Sequence, residues 1–99
     1  MIKLLMTWDI KSGHESEYVE FIMHEFGPAM VRMGLQPTDA WYTVYGDGPQ
    51  VLAGGVADTL QRMHDILSGE EWIELEAKLS EYVDHYKRRI VEAAGGFQL

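Results

Sequence analysis

The run from Tyr82 to Phe97, YVDHYKRRIVEAAGGF, decides what this 99-residue chain can become. As a helix, it extends the apolar series Trp72, Leu75, Leu79, Tyr82, Tyr86, Ile90 and Ala93, and the chain is left with three strands and an open sheet edge. As a strand, it sets Tyr86, Arg88 and Ile90 on one face with Lys87, Arg89 and Val91 opposite, and it completes a βαββαβ order. The helical spacing is the more regular pattern. Local periodicity therefore favours helix and leaves the strand as the alternative.

The rest of the chain is easier to read. Residues 2–10 alternate, with Ile2, Leu4, Met6, Trp8 and Ile10 on one face and Lys3, Leu5, Thr7 and Asp9 on the other, which predicts a half-buried strand. Ser12 with Glu15 reads as a capping box. The helix it opens carries Tyr18, Phe21, Ile22, Phe26, Ala29, Met30 and Met33 as one apolar stripe, with Gly34 placed to end it. Pro28 cannot donate to the carbonyl of His24, so a kink or break is expected at Gly27-Pro28. Thr38–Gly46 is rich in aromatic and β-branched residues, Gly46-Asp-Gly-Pro49 reads as a turn, and Gln50–Val56 reads as the second strand of a hairpin. Gly54-Gly55 within that strand marks a bulge or a close approach of other atoms. Asp58 with Gln61 caps a short helix through Leu60, Met63 and Leu67. Ser68 with Glu71 caps another through Trp72, Leu75 and Leu79.

Composition narrows the partners. A chain of 99 residues that is 46% hydrophobic supports one domain, residues 1–99, with a small core that gains from extra burial in an oligomer. Eight basic against 16 acidic residues give a net charge of −8, which disfavours nucleic acid and anionic membrane surfaces. The absence of cysteine removes disulfides, thiolate metal sites and thiol nucleophiles. The first residues lack the apolar region of a signal peptide, and no apolar run reaches membrane-spanning length. A soluble cytoplasmic protein is expected.

The order of elements resembles the NIPSNAP-like branch of the dimeric α/β-barrel superfamily, which also contains the antibiotic-biosynthesis monooxygenase and stress-responsive barrel families. The residues that carry the resemblance are Lys11-Ser-Gly-His14, Ser68-Gly-Glu-Glu-Trp72, and Arg89-Ile-Val91 followed by Gly96-Phe97. The chain departs from that pattern in ending Gly-Gly-Phe-Gln-Leu, without a serine-proline pair. The resemblance implies an α+β, ferredoxin-like βαββαβ fold with a four-stranded antiparallel sheet. It also implies a last helix ending near Tyr82 to Asp84 and a strand from about His85 to Glu92. The need to cover a sheet edge agrees with it. It further implies a homodimer in which two sheets pair as a barrel, with pockets between each sheet and its helices.

At about 100° per residue, positions 14, 18, 21 and 25 fall nearly on one helical line. His14 and Glu25 then flank Tyr18 and Phe21, and they are the candidates for proton transfer in a pocket. The competing reading places His14 in solvent and Glu25 in an ion pair. Trp8, Trp41, Tyr42 and Tyr18 could hold a small apolar or aromatic ligand, with His64 at the edge of the Leu60–Met63–Leu67 stripe; the same aromatics also read as plain core. His24 lies opposite the stripe, and the face taken by His85 depends on strand register. The four histidines have no metal-ligand spacing, and no glycine-rich phosphate loop is present, so neither metal nor cofactor is expected. Two functions fit. One is a ligand-binding barrel working as a cofactor-independent oxygenase or isomerase, a class the resemblance implies. The other is a non-catalytic homodimer for protein interaction or ligand sensing.

Overall fold

The tail is a strand. In the computed structural model, which describes residues 1–42 and 49–92 with backbone alone at 39–42, the order is β1 (Ile2–Ile10), α1 (Glu15–Phe21), a π-helical turn (Ile22–Phe26), α2 (Gly27–Met33), β2 (Gln36–Tyr42), β3 (Val51–Ala57), α3 (Leu60–Leu67), α4 (Glu70–Leu79) and β4 (Val83–Glu92). The sheet order is β2-β3-β1-β4 with every pair antiparallel, the ferredoxin-like arrangement within the α+β class. The turn residues 46–48, the segment Gly96-Phe97 and the side chains of Trp41 and Tyr42 lie outside the described residues.

Strand wins over helix in the tail because β1 needs a second hydrogen-bonding neighbour. Its even-numbered residues Leu4, Met6, Trp8 and Ile10 are buried, so the strand lies over the core and cannot leave one edge unpaired. Helix α4 stops at Leu79, earlier than the Tyr82–Asp84 limit expected from the sequence. The N–H groups of Ser80, Glu81 and Tyr82 close the turn onto Glu76, Lys78 and Leu79. The Tyr82 carbonyl then accepts from Lys11 N at 2.9 Å, and β4 runs along β1 from Val83 opposite Ile10 to Glu92 opposite Ile2.

All helices lie on the inner face of the sheet. They bring Tyr18, Phe21, Phe26, Ala29, Met30, Met63, Ile66, Leu67, Trp72, Leu75 and Leu79 onto the inner side chains of β1, Val51, Ala57 and Val83. The glycine pair in β3 is a place of close approach, as expected: a Cβ on Gly55 would lie 2.8 Å from Met30 Cε, and one on Gly54 would lie 3.0 Å from Thr38 Oγ1 and 3.3 Å from the Leu4 carbonyl. Gly34 closes α2 with φ of 100°, the left-handed conformation suited to glycine.

The first helix breaks where proline demanded it, but the break takes the form of a wide turn. The Gly27 N–H reaches back five residues to the Ile22 carbonyl, which inserts one extra residue ahead of Pro28. One residue is about 100° of helical rotation. Phe26 consequently takes the core position that an unbroken helix would give to position 25, and Glu25 turns to the surface. The expected line through His14, Tyr18, Phe21 and Glu25 is therefore corrected at its last member.

The helix starts also differ from the sequence reading. His14, not Ser12, is the N-cap of α1, and its side chain makes no capping bond. Thr59, not Asp58, caps α3 by accepting from Arg62 N at 3.1 Å. Gly69 is the N-cap of α4, and Ser68 Oγ instead donates to the His64 carbonyl at 2.6 Å at the end of α3. Urea unfolding should separate the two α3 candidates: Thr59→Ala is expected to cost about 1 kcal/mol, and Asp58→Ala to stay within about 0.5 kcal/mol of the parent.

Candidate functional site

The aromatic residues meet between the sheet and the helices. Trp8, inward-facing on β1, donates its indole N–H to Tyr18 Oη at 2.9 Å, and both residues are buried. Their rings meet edge to face with centroids 6.4 Å apart, and Phe26 approaches Trp8 in the same way at 6.0 Å. The network continues from Phe26 to Trp72 at 6.0 Å and to Phe21 at 5.9 Å, from Phe21 to Tyr82 at 5.2 Å, and from Trp8 to Tyr86 at 6.1 Å. Trp8 and Tyr18, both expected in a ligand site, are thus brought together, with the Tyr18 hydroxyl accepting from the Trp8 indole.

Trp72 is different. It is completely buried, and its Nε1 is the one buried side-chain nitrogen or oxygen among the described residues with no hydrogen-bond partner. A cleft of about 330 Å³ borders it, between the end of α2 and the α3–α4 junction, lined by Met33, Arg62, Asp65, Ile66, Gly69, Glu70, Glu71 and Trp72. Beside it, Arg32 of α2 is paired with Glu71 of α4.

At the other side of the cluster, Tyr86 donates to Glu76 Oε2 at 2.6 Å, and Arg88 Nε lies 3.1 Å from the same oxygen. Burial, followed by the Glu76 carboxylate, pushes the Tyr86 phenol well above the usual tyrosine range.

The remaining predicted residues lie at the surface. His14 is half exposed, with Nδ1 3.0 Å from Glu17 Oε1. Glu25 accepts from Lys78 Nζ at 2.7 Å, and that carboxylate raises the Lys78 ammonium above its ordinary range. A shallow depression of about 310 Å³ lies beside Glu25, with Glu17, Glu20, Phe21, His24 and Tyr82 on its walls. His64 is exposed, as is His24, whose ring lies 3.9 Å from Glu20. His14 and Glu25 therefore have separate surface partners, Glu17 and Lys78. Among the described residues, no three histidine or carboxylate side chains could hold a metal, and no helix is long and apolar enough to cross a membrane.

Sequence reasoning missed the orphan donor of Trp72. Its only signal was the placement of Trp72 in the Ser68–Trp72 segment. The Tyr86–Glu76 bond was missed because the face of Tyr86 depended on the helix-or-strand choice.

Solved structures locate the fold among known proteins. An uncharacterised NIPSNAP domain protein of Burkholderia xenovorans superposes with a TM-score of 0.68 at 16% identity over 99% of this chain and 100% of its own. The fold is NIPSNAP-like. A Deinococcus radiodurans protein, provisionally named an antibiotic biosynthesis monooxygenase, matches with a TM-score of 0.71 at 18% identity over 100% and 98% of the two chains. An Arabidopsis thaliana protein reaches 0.75 at 9% identity over 99% and 100%. No family model and no curated protein sequence matches the chain. The NIPSNAP-like and antibiotic-biosynthesis-monooxygenase-like resemblance read from the sequence thus holds at the level of fold.

The Tyr86 phenol makes a test in alkali. An unfolded tyrosine titrates near about pH 10. Because the folded group holds its proton to higher pH, the native state binds more protons above that point, and stability falls as pH rises. Urea unfolding from pH 8 to 11 should show a shallower alkaline decline for Tyr86→Phe than for the parent, together with a loss of about 1–2 kcal/mol at neutral pH from the missing bond to Glu76.

Proposed function

We propose that this NIPSNAP-like chain is a homodimeric barrel protein that binds a small apolar or aromatic molecule carrying a hydrogen-bond acceptor, in the cleft between the end of α2 and the α3–α4 junction. The observation that carries the proposal is the unpaired indole N–H of Trp72. A buried donor without an acceptor costs roughly 1–3 kcal/mol. A carbonyl or phenolic oxygen entering from the cleft beside Met33, Ile66 and Gly69 supplies that acceptor. Phe26 stands against Trp72 and adds a flat wall. His14 lies against Glu17 and Glu25 against Lys78 at the surface, and neither lines this cleft, so binding is proposed rather than turnover.

The dimer is supported by the bare second face of the sheet. Leu5, Leu52 and Val91 are only partly buried there, with all helices on the opposite side. Pairing two such faces gives each protomer the additional burial that a domain of this size lacks.

Two measurements test the reading. Light scattering at micromolar concentration should return twice the protomer mass of 11.3 kDa, and Leu52→Glu should reduce it to one; a monomeric parent removes the dimer. Thermal unfolding with 1-naphthol or 1-tetralone should show a midpoint that climbs with ligand concentration. Trp72→Phe keeps an apolar ring but removes the donor. It should fold with a loss of about 1–3 kcal/mol and lose the ligand response. An equal response in Trp72→Phe sinks the site.

A further inference from the structure

The cleft beside Trp72 is built around the start of α4. Gly69, the N-cap of that helix, has no side chain to offer its first turn, and the neighbouring Ser68 hydroxyl donates to the His64 carbonyl instead. The N–H groups of Glu70, Glu71 and Trp72 therefore make no hydrogen bond among the described residues. Ile73 N is the first to close, onto the Gly69 carbonyl at 3.1 Å. A side-chain oxygen commonly takes one of these donors. In a helix of ten residues, the unpaired N–H groups and the aligned peptide dipoles together favour an anion at this end.

Two further donors line the same cleft. Trp72 is the third residue of α4 and also carries the buried indole Nε1 that has no partner. Its main chain and its side chain thus each bring an unpaired N–H. Arg62 of α3 brings a guanidinium. It is exposed, and its side chain makes no hydrogen bond or ion pair among the described residues. Packing holds it in place: a Cβ on Gly34 would meet Arg62 Nη2 at 2.7 Å, so the guanidinium lies directly over the C-cap of α2. The carbonyl end of that helix attracts the charge without neutralising it.

The acidic residues around the cleft leave room for an anion. Glu71 is paired with Arg32, and Asp65 accepts from Gln61 Nε2 at 2.9 Å. These two carboxylates and Glu70 are exposed, where water and salt screen their repulsion. Trp72 Nε1 is wholly buried, and a hydrogen bond to a charged oxygen is about twice as strong as one to a neutral oxygen. A single carbonyl oxygen can meet the indole but not Arg62 as well. A carboxylate has two oxygens, and it can accept from the indole and the helix start on one side and from the guanidinium on the other. Met33 and Ile66 supply an apolar wall for the body of the molecule.

We propose that the Trp72 cleft selects a small aromatic carboxylate, held as its anion by the indole N–H of Trp72, the uncapped start of α4 and the Arg62 guanidinium. The inference rests on the reading that a ligand binds at Trp72, and it deepens that reading by giving the ligand a charge. No bond is made or broken. The cleft is formed by α2, α3 and α4 alone, on the side of the sheet opposite the face that pairs in the dimer, so dimerisation leaves it open.

A comparison of 1-naphthoate with the neutral 1-naphthamide and 1-tetralone tests the selection. In ¹H–¹⁵N titrations of the full chain at neutral pH, naphthoate should bind about tenfold tighter than naphthamide. It should shift the backbone amides of Glu70, Glu71 and Trp72 together with the Trp72 indole. Arg62→Gln should lower naphthoate to the affinity of naphthamide and leave naphthamide and the unfolding midpoint unchanged, and Arg62→Lys should keep part of the preference. Added salt should weaken naphthoate alone. Equal or weaker binding of naphthoate, while the neutral ligands bind and are lost in Trp72→Phe, overturns the selection and leaves the ligand reading at Trp72 standing. Binding of none of the three overturns both. A naphthoate preference that survives Arg62→Gln, or that moves no amide of the first turn of α4, also overturns the selection.

Discussion

Everything in this fold depends on β1 being a strand with one wholly apolar face and two edges that must both be paired. Leu4, Met6 and Trp8 are almost completely buried. Burial of these side chains holds the strand under the helices, where its N–H and C=O groups have no water to bond. β3 satisfies one edge and β4 the other. Residues 83–92 become a strand for this reason, against their own helical periodicity. A helix in the tail would bury the same Tyr86 and Ile90 yet leave the central backbone unsatisfied.

The second constraint acts through phase. The π-helical turn before Pro28 replaces a missing hydrogen bond with a wider ring, and in doing so shifts every later residue of that helix by one place. Phe26 enters the aromatic cluster and Glu25 leaves for Lys78. A single local defect thus exchanges an ionisable residue for an aromatic one at the centre of the molecule. It makes the interior between sheet and helices almost wholly apolar, with the indole N–H of Trp72 as its unclaimed polar group.

The two faces of the sheet consequently differ in chemistry. The inner face is apolar and aromatic, and among the described residues it offers one unpaired buried donor, Trp72 Nε1. The outer face is partly apolar and carries Lys87 and Arg89, two of the few basic residues of an acidic chain. Between Thr7 and Asp9 on β1 stands one residue, Trp8, whereas between their partners Lys87 and Asp84 on β4 stand two, His85 and Tyr86. This bulge belongs to both faces: it turns Tyr86 inward to Trp8 and Glu76 and sets His85 outward to Asp9. One irregularity in β4 accordingly completes the aromatic core and ties His85 to β1.

Period-two alternation in residues 2–10, the apolar stripe from Tyr18 to Met33, the aromatic and glycine-bearing hairpin and the spacing of Trp72, Leu75 and Leu79 were legible in the sequence, because each is a local pattern set by backbone geometry. Resemblance added the fourth strand. Caps were misread at Ser12, Asp58 and Ser68, since several oxygen-bearing residues stood within one or two positions of each helix start and only the real turn selects among them. The candidate site was legible in Trp8 and Tyr18, which are aromatic and inward by alternation. It was not legible in Trp72 or Glu76, whose partners lie far away in sequence. The chain by itself therefore determined which segments have an apolar face and how many layers they can form. Tertiary structure alone decided the state of the tail, the rotation of Glu25 out of the core and the pairing of His85 with Asp9, because each depends on a hydrogen bond or a register between residues that local periodicity cannot connect.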